Sequence, residues 1–237
     1  MLLNCDLGES YGSWTMGLDA EVMPHIDQAN IACGFHGGDP LTMRNTLALA
    51  AAHGVSIGAH PAYPDLVGFG RRSMTLSADE LIATLHYQLA ALDGMATSAG
   101  LSVDYIKPHG ALYNDMMANA DVRATVMQAL ASYHRPLPLM LQATPEASTH
   151  RSEAAAMGLE IWLDAFADRC YDDDGKLLSR RLPGAVQAGD AFKARARHPL
   201  FGVRHRLSED GCLVVRRRGG GVEVLHDTRA VLLVRVH

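Results

Sequence analysis

The stretch Ile26-Asp27-Gln28-Ala29-Asn30-Ile31-Ala32-Cys33, then Gly34-Phe35-His36-Gly37-Gly38-Asp39, then Pro40 through His53, then Gly54 and Val55-Ser56-Ile57-Gly58-Ala59, reads as one strand–helix–strand unit. Ile26–Cys33 and Val55–Ala59 are short, mostly apolar and bounded by glycine, which fits buried strands. Between them Asp39 can cap a helix that has Pro40 at its first position and Gly54 just past its end. Two buried strands joined by a helix imply parallel pairing and a right-handed crossover.

The same rhythm continues along the chain. Val103–Ile106, Leu137–Leu141 and Leu159–Leu163 read as further buried strands. Ser77-Ala78-Asp79-Glu80 is a capping box opening a helix with Leu81, Leu85, Leu89 and Leu92 on one face, ending before Gly100. Pro145 opens another helix, ending at Gly158. Five or six such units in roughly 190 residues favour an α/β fold of the (β/α) barrel type, TIM-like and not necessarily complete. A doubly wound open sheet is the alternative. We read residues 1–192 as the barrel and residues 193–237 as a divergent basic C-terminal segment, in which Cys212–Val215 and Val231–Val236 could pair as strands.

Composition narrows the class. The 237 residues carry a net charge of −5 with 48 % hydrophobic residues, ordinary for a globular protein. No apolar run approaches the roughly 20 residues of a membrane span, and the first residues lack the basic start of a signal peptide. Cys5, Cys33, Cys170 and Cys212 form no Cys-x-x-Cys pair, which suits reduced thiols in the cytoplasm. The charge is uneven: 11 Lys+Arg against 22 Asp+Glu up to Phe192, then 10 against 4. A basic tail can serve nucleic acid, but the acidic body and the absence of interleaved aromatic and basic residues argue against that use. We expect neither a nucleic-acid nor a membrane partner.

Polar clusters follow almost every strand: Asn4–Glu9, Asn30–Asp39, Gly58–Asp65 continuing to Gly68–Arg72, Lys107–Asn114 and Phe166–Tyr171. In parallel α/β folds the carboxyl ends of the strands form the active-site rim. Five clusters on one rim are hard to explain by packing. Asp6, Glu9, His36, His60, Lys107, His109 and Asp168 are the catalytic candidates, and Asn30, Gly38, Arg71, Tyr113 and Arg169 the substrate-binding ones. Each has a bland reading as well. Asp39 serves as a helix cap, Arg71 could simply pair with Asp65, Asp168 with Arg169, and Cys33 suits packing better than nucleophilic attack. Gly68-Phe69-Gly70-Arg71 is neither a P-loop nor a dinucleotide motif, because no G-K-[ST] or G-x-G-x-x-G follows.

These segments, in this order, resemble the LamB/YcsF family of 5-oxoprolinase A subunits over roughly residues 2–190. The resemblance implies a β/α barrel of the glycoside hydrolase/deacetylase type. It also implies ATP-coupled cleavage of 5-oxoproline to glutamate in company with two further subunits, B and C, with ATP and magnesium as cofactors of the complex. The residues are compatible with that chemistry. An anionic substrate and a phosphate need cations, for which Lys107, Arg71 and Arg169 are candidates. Proton transfer needs a carboxylate or imidazole. Glycines 34, 37, 38 and 110 would let backbone amides approach an oxyanion. The competing reading is a stand-alone metal-dependent amidohydrolase or deacetylase using Asp6, His36 and His60, although no H-x-x-x-H or H-E-x-x-H spacing supports it. We expect no resident metal.

Overall fold

The computed structural model describes residues 2–166 and, beyond them, 169–170, 177–178, 182–183 and 185, together with short strands after residue 199 for which the backbone alone is described. The elements run β1 (Leu2–Leu7), α1 (Asp19–Val22), β2 (Gln28–Ala32), α2 (Pro40–His53), β3 (Ser56–His60), α3 (Ala78–Ser98), β4 (Val103–Ile106), α4 (Gly110–Ala118), α5 (Ala120–Ala131), β5 (Leu139–Gln142), α6 (Ala147–Ala156) and β6 (Ile161–Phe166). They continue with β7 (Leu200–Phe201), β8 (His205–Leu207), β9 (Leu213–Arg216), β10 (Val222–Leu225) and β11 (Ala230–Leu233). The α/β barrel expected from the strand–helix rhythm is present. Seven parallel strands close in the order β1-β11-β6-β5-β4-β3-β2. The last of them, β11, pairs with β1 on one side and β6 on the other. Strands β7 to β10 form a separate antiparallel sheet. No helix among the described residues is long and apolar enough to cross a membrane.

The helix signals lie where the sequence puts them. The Asp39 side chain accepts from the backbone N–H groups of Leu41 and Thr42, with Pro40 at the first position and Gly54 left-handed at the end. The Gly12 N–H and Thr42 hold the Asp39 carboxyl down to about 2. It is therefore an ionised cap that also pins the loop after β1. Ser77 and Glu80 form the reciprocal capping box.

The apolar core is a layer between strands and helices. Leu7, Ile31, Ile57 and Ile106 on the strands meet Leu47, Leu85, Leu89 and Leu112 on the helices. The barrel interior is different. Tyr105 and Met140, with Trp162 packed on them, form a small separate cluster. Two residues further along the same strands stand Lys107, Gln142 and Asp164, which the two-residue period of a strand places on the same face, nearer the carboxyl ends. Asn4, Asp6 and Asn30 join them, so the interior turns from apolar to ionic towards the rim.

Gly58 makes this interior possible. It sits at the register shift between β3 and β4, and a Cβ at this position would overlap the Tyr105 ring. Gly58→Ala is expected to lose about 1–3 kcal/mol of stability, the usual cost of overpacking, because Tyr105 is fully buried and tethered to Asn30. Urea unfolding checks this. Parent-like stability would mean that the ring has somewhere to go.

Candidate active site

Asn4 and Asp6 lie within β1, not in a cluster following it, and both face the barrel interior. Asn30 in β2 joins them: its amide N–H group donates to Asn4 Oδ1 at 2.6 Å and to Asp6 Oδ1 at 2.9 Å. Its own Oδ1 accepts from the Tyr105 hydroxyl at 2.6 Å. Burial, then the charges of Asp6, Asp104 and Asp164, push the Tyr105 phenol well above its ordinary value. It is thus a fixed neutral donor that orients the Asn30 amide.

Lys107 follows β4 directly and is 2 % exposed. Its ammonium lies 3.3 Å from Asp6 Oδ1, 3.3 Å from Asp164 Oδ2 and 3.3 Å from Asn4 Oδ1. The Phe166 ring centroid is 5.2 Å away, a cation–π distance. Asp164 is fully buried and its Oδ1 accepts from the Tyr113 hydroxyl at 2.6 Å. The centre of the site is therefore one ammonium held between two carboxylates, each carboxylate also oriented by a neutral donor.

A second group of side chains lies beside Asp6. His60 Nδ1 is 2.6 Å from the Lys107 carbonyl oxygen, and its Nε2 is 3.4 Å from Asp6 Oδ1. His109 Nε2 is 3.0 Å from the Phe69 carbonyl oxygen, and its Nδ1 is 3.0 Å from His60 Nε2 and 3.3 Å from Glu9 Oε1. His36 stacks on His109 with ring centroids 3.7 Å apart, and its Nε2 is 3.4 Å from Glu9 Oε1. Burial lowers the His36 pKa, against the opposing pull of Glu9. Donor atoms of Glu9, His36, His60 and His109 all lie within 4.8 Å of one another, so these four residues could share one ion.

The loop read as neither P-loop nor dinucleotide motif covers these imidazoles. Phe69 takes a left-handed backbone (φ 54°), uncommon for a bulky residue, and that turn directs its carbonyl at His109. A Cβ on Gly70 would crowd both His109 and His36 at 2.9 Å, so glycine is what lets the loop close down.

A cleft of about 1010 Å³ opens over the ion cluster, with Asp6, His60, Arg71, Lys107, Tyr113 and Arg169 on its wall. A small second cavity of about 60 Å³ lies between Asp6, Glu9, Phe69 and Arg71. Asp6, His60 and Lys107 lie on the cleft wall, with Glu9, His36 and His109 grouped beside them. Asn30 stands behind Asp6, and Gly38 packs against the backbone oxygens of Gly8 and Ala32. Asp168 lies outside the described residues. Asp65 pairs with Arg72, not with Arg71; Arg71 instead lies over the Phe69 ring and faces the cleft. Burial pushes the Cys33 thiol up to about 12, which fits packing and not attack. The tentative metal set of Asp6, His36 and His60 is regrouped, with Glu9 and His109 taking the place of Asp6 among the four mutually close residues.

Sequence reasoning missed Asn4, Tyr105 and Asp164. The available signal was a pair of polar residues two apart in a buried strand, as in Asn4/Asp6; Asp164 stands alone among apolar neighbours in Ile161–Phe166.

A β/α barrel with buried carboxylates, an ammonium and imidazoles at the carboxyl ends of its strands has the layout of a barrel enzyme using acid–base and electrostatic catalysis. The model of the LamB/YcsF family matches residues 1–206, and the chain belongs to that family. It is 62 % identical over 186 residues to the 5-oxoprolinase A subunit of Pseudomonas fluorescens, covering 78 % of this chain and 74 % of the relative. It is 61 % identical over 211 residues to one of the numbered 5-oxoprolinase A subunits of Pseudomonas putida, covering 89 % and 82 %. The crystal structure of the lactam utilization protein from Thermus thermophilus superposes with a TM-score of 0.82 at 36 % identity, over 99 % of this chain and 89 % of that one.

Proposed function

We propose that the chain is the A subunit of an ATP-dependent 5-oxoprolinase, a cytoplasmic hydrolase that opens the lactam of 5-oxo-L-proline to L-glutamate. The observation that carries this reading is the Asp6–Lys107–Asp164 ion cluster on the wall of the cleft. The names of the close relatives support it.

The chemistry follows from the substrate. A five-membered lactam is a poor electrophile. ATP with magnesium, brought by the complex with subunits B and C, would transfer a phosphoryl group to the amide oxygen. Water would then add at the ring carbon, the C–N bond would break with the nitrogen taking a proton, and a second water would cleave the resulting acyl phosphate to the carboxylate and free phosphate. This chain supplies the surroundings of that step. Lys107 presents positive charge towards the developing anion. Arg71 and Arg169 on the cleft wall suit the substrate carboxylate, where a guanidinium offers two parallel N–H donors. Asp6 reaches the cleft with an oxygen already fixed by Asn30 and Lys107, so it is placed to accept the proton of the attacking water. A phosphorylated lactam would be lost to bulk water, so the partner subunits must dock over this rim.

The test is reconstitution. The purified chain alone is expected to form negligible glutamate from 5-oxoproline. Adding both partner subunits with ATP and magnesium is expected to restore it, and omitting any one component should abolish it. Robust ATP-independent glutamate formation by the lone chain would overturn this reading in favour of a self-sufficient amidohydrolase.

A further inference from the structure

The neighbouring imidazoles have a hydrogen-bond arrangement that neutral histidines alone do not satisfy. A carbonyl oxygen only accepts. The Lys107 carbonyl at 2.6 Å therefore places a proton on His60 Nδ1, and the Phe69 carbonyl at 3.0 Å places one on His109 Nε2. In the neutral rings this leaves the lone pairs of His60 Nε2 and His109 Nδ1 facing each other at 3.0 Å. Glu9 Oε1, 3.3 Å from His109 Nδ1, and Asp6 Oδ1, 3.4 Å from His60 Nε2, bring negative charge to the same place. Facing acceptors in a buried site call for a cation between them.

We propose that Glu9, His36, His60 and His109 bind a single first-row transition-metal ion of the zinc type. Four-coordinate zinc with nitrogen and oxygen ligands at about 2.0–2.1 Å sets neighbouring donor atoms about 3.3–3.4 Å apart. Three of the separations here are 3.0, 3.3 and 3.4 Å, and every pair lies within 4.8 Å. The outer contacts match those of metal-bound histidines, which characteristically donate the other ring N–H to a carbonyl or carboxylate; His60 and His109 both do so to backbone carbonyls. His36 is fully buried and neither ring nitrogen makes a well-formed hydrogen bond among the described residues. A proton shared between His60 and His109 would answer their contact alone, whereas an ion between them also draws in Glu9 and, once its ring turns out of its stack on His109, His36. Three imidazoles and one carboxylate suit zinc, cobalt or nickel, whereas magnesium prefers an all-oxygen shell. The ion is therefore distinct from any magnesium that accompanies ATP. The small cavity beside Glu9 and Asp6, about 60 Å³, has room for a water next to it.

The test is direct binding to the full-length chain, without substrate. Chelator-stripped protein is titrated with Zn2+ by calorimetry and the reloaded, desalted protein is assayed for metal. One zinc per chain is expected. His109→Ala and Glu9→Gln are expected to weaken binding by about 100-fold or more, at least the loss seen when only a supporting contact is removed. Co2+ loaded into the parent chain should give the visible absorption of a nitrogen-coordinated site. No retained zinc in the parent, a Co2+ spectrum like that of the free ion, or undiminished binding in variants with parent-like circular dichroism would each overturn the proposal. The two arms on the parent chain decide the matter even where a variant does not fold.

Discussion

Lys107→Met is expected to lower turnover in the reconstituted system by about 10²–10³-fold, the effect of losing one preorganised charge-stabilising donor, and to destabilise the chain as well. A lysine projecting from the rim would lose activity alone. Lys107 instead is buried and touches Asp6, Asp164 and Asn4. Methionine fills its volume and leaves two carboxylates without their counter-charge, and breaking a buried ion pair from one side typically costs about 3–5 kcal/mol. The two effects can be separated. Adding Asp164→Asn to the Lys107→Met chain removes one of the stranded carboxylates and should recover part of the stability. It should recover none of the activity, because the ammonium is still missing. Turnover and urea unfolding of the parent, both single variants and the double variant form the cycle that measures this coupling. Additive stability losses would mean that Asp164 and Lys107 do not act as a pair. A single Lys107→Met variant with near-parent turnover would remove the lysine from the chemistry.

The readable part of the fold is the part governed by local rules. Asp39-Pro40 and Ser77-Ala78-Asp79-Glu80 mark helix starts because their side chains bond groups two or three residues away, and both caps are present. The strands between helices are visible as short apolar runs because one face of each packs on the helix layer. Their ends shift by a few residues, as with Ile26–Cys33 against the strand Gln28–Ala32, because apolarity marks half-buried Ile26 and buried Cys33 although neither lies in the paired strand. The closing strand Ala230–Leu233 is harder to see as a barrel member. Its partner Leu2–Asn4 is at the other end of the chain, and no spacing rule spans that distance.

The site divides in the same way. Asp6, His60 and Lys107 stand out because a charged or polar residue ends an apolar run at the rim. Asp164 escapes notice because it sits inside Ile161–Phe166, where a single acid among apolar residues looks like an interruption of a strand. Its role depends on Lys107 and Tyr113, both far away in sequence. The pairing of His60 with His109, and the direction of their protons, depends on two backbone carbonyls whose positions come from the barrel register and from the left-handed Phe69. Residue types pointed to this chemistry; only the assembled backbone says which nitrogen carries the hydrogen.

Asp6→Asn is expected to cut turnover of the reconstituted enzyme by about 10²–10⁴-fold, the usual contribution of a positioned general base, with a much smaller loss of stability. The asymmetry with Lys107→Met comes from the contacts. Asparagine keeps an oxygen able to accept from Asn30 Nδ2 and from the Lys107 ammonium, which now lie 2.9 and 3.3 Å from Asp6 Oδ1. Lys107 also keeps Asp164 as its counter-ion. What disappears is the charge, and with it the capacity to take a proton at the cleft. Hydrogen bonds to a charged group contribute about 1.5–3 kcal/mol each, and most of that interaction survives as neutral-acceptor bonds, so a loss of about 1–2 kcal/mol is expected. Substrate binding should change less than turnover, because the carboxylate of 5-oxoproline is assigned to the arginines of the cleft wall and not to Asp6. The measurements are kcat and KM for glutamate formation with all subunits present, and urea unfolding of the isolated chain. A variant that keeps more than about a tenth of parental kcat, well short of the loss expected for a general base, would show that Asp6 positions Lys107 and is not the general base. A collapse in stability matching Lys107→Met would show that the carboxylate is chiefly a structural counter-ion.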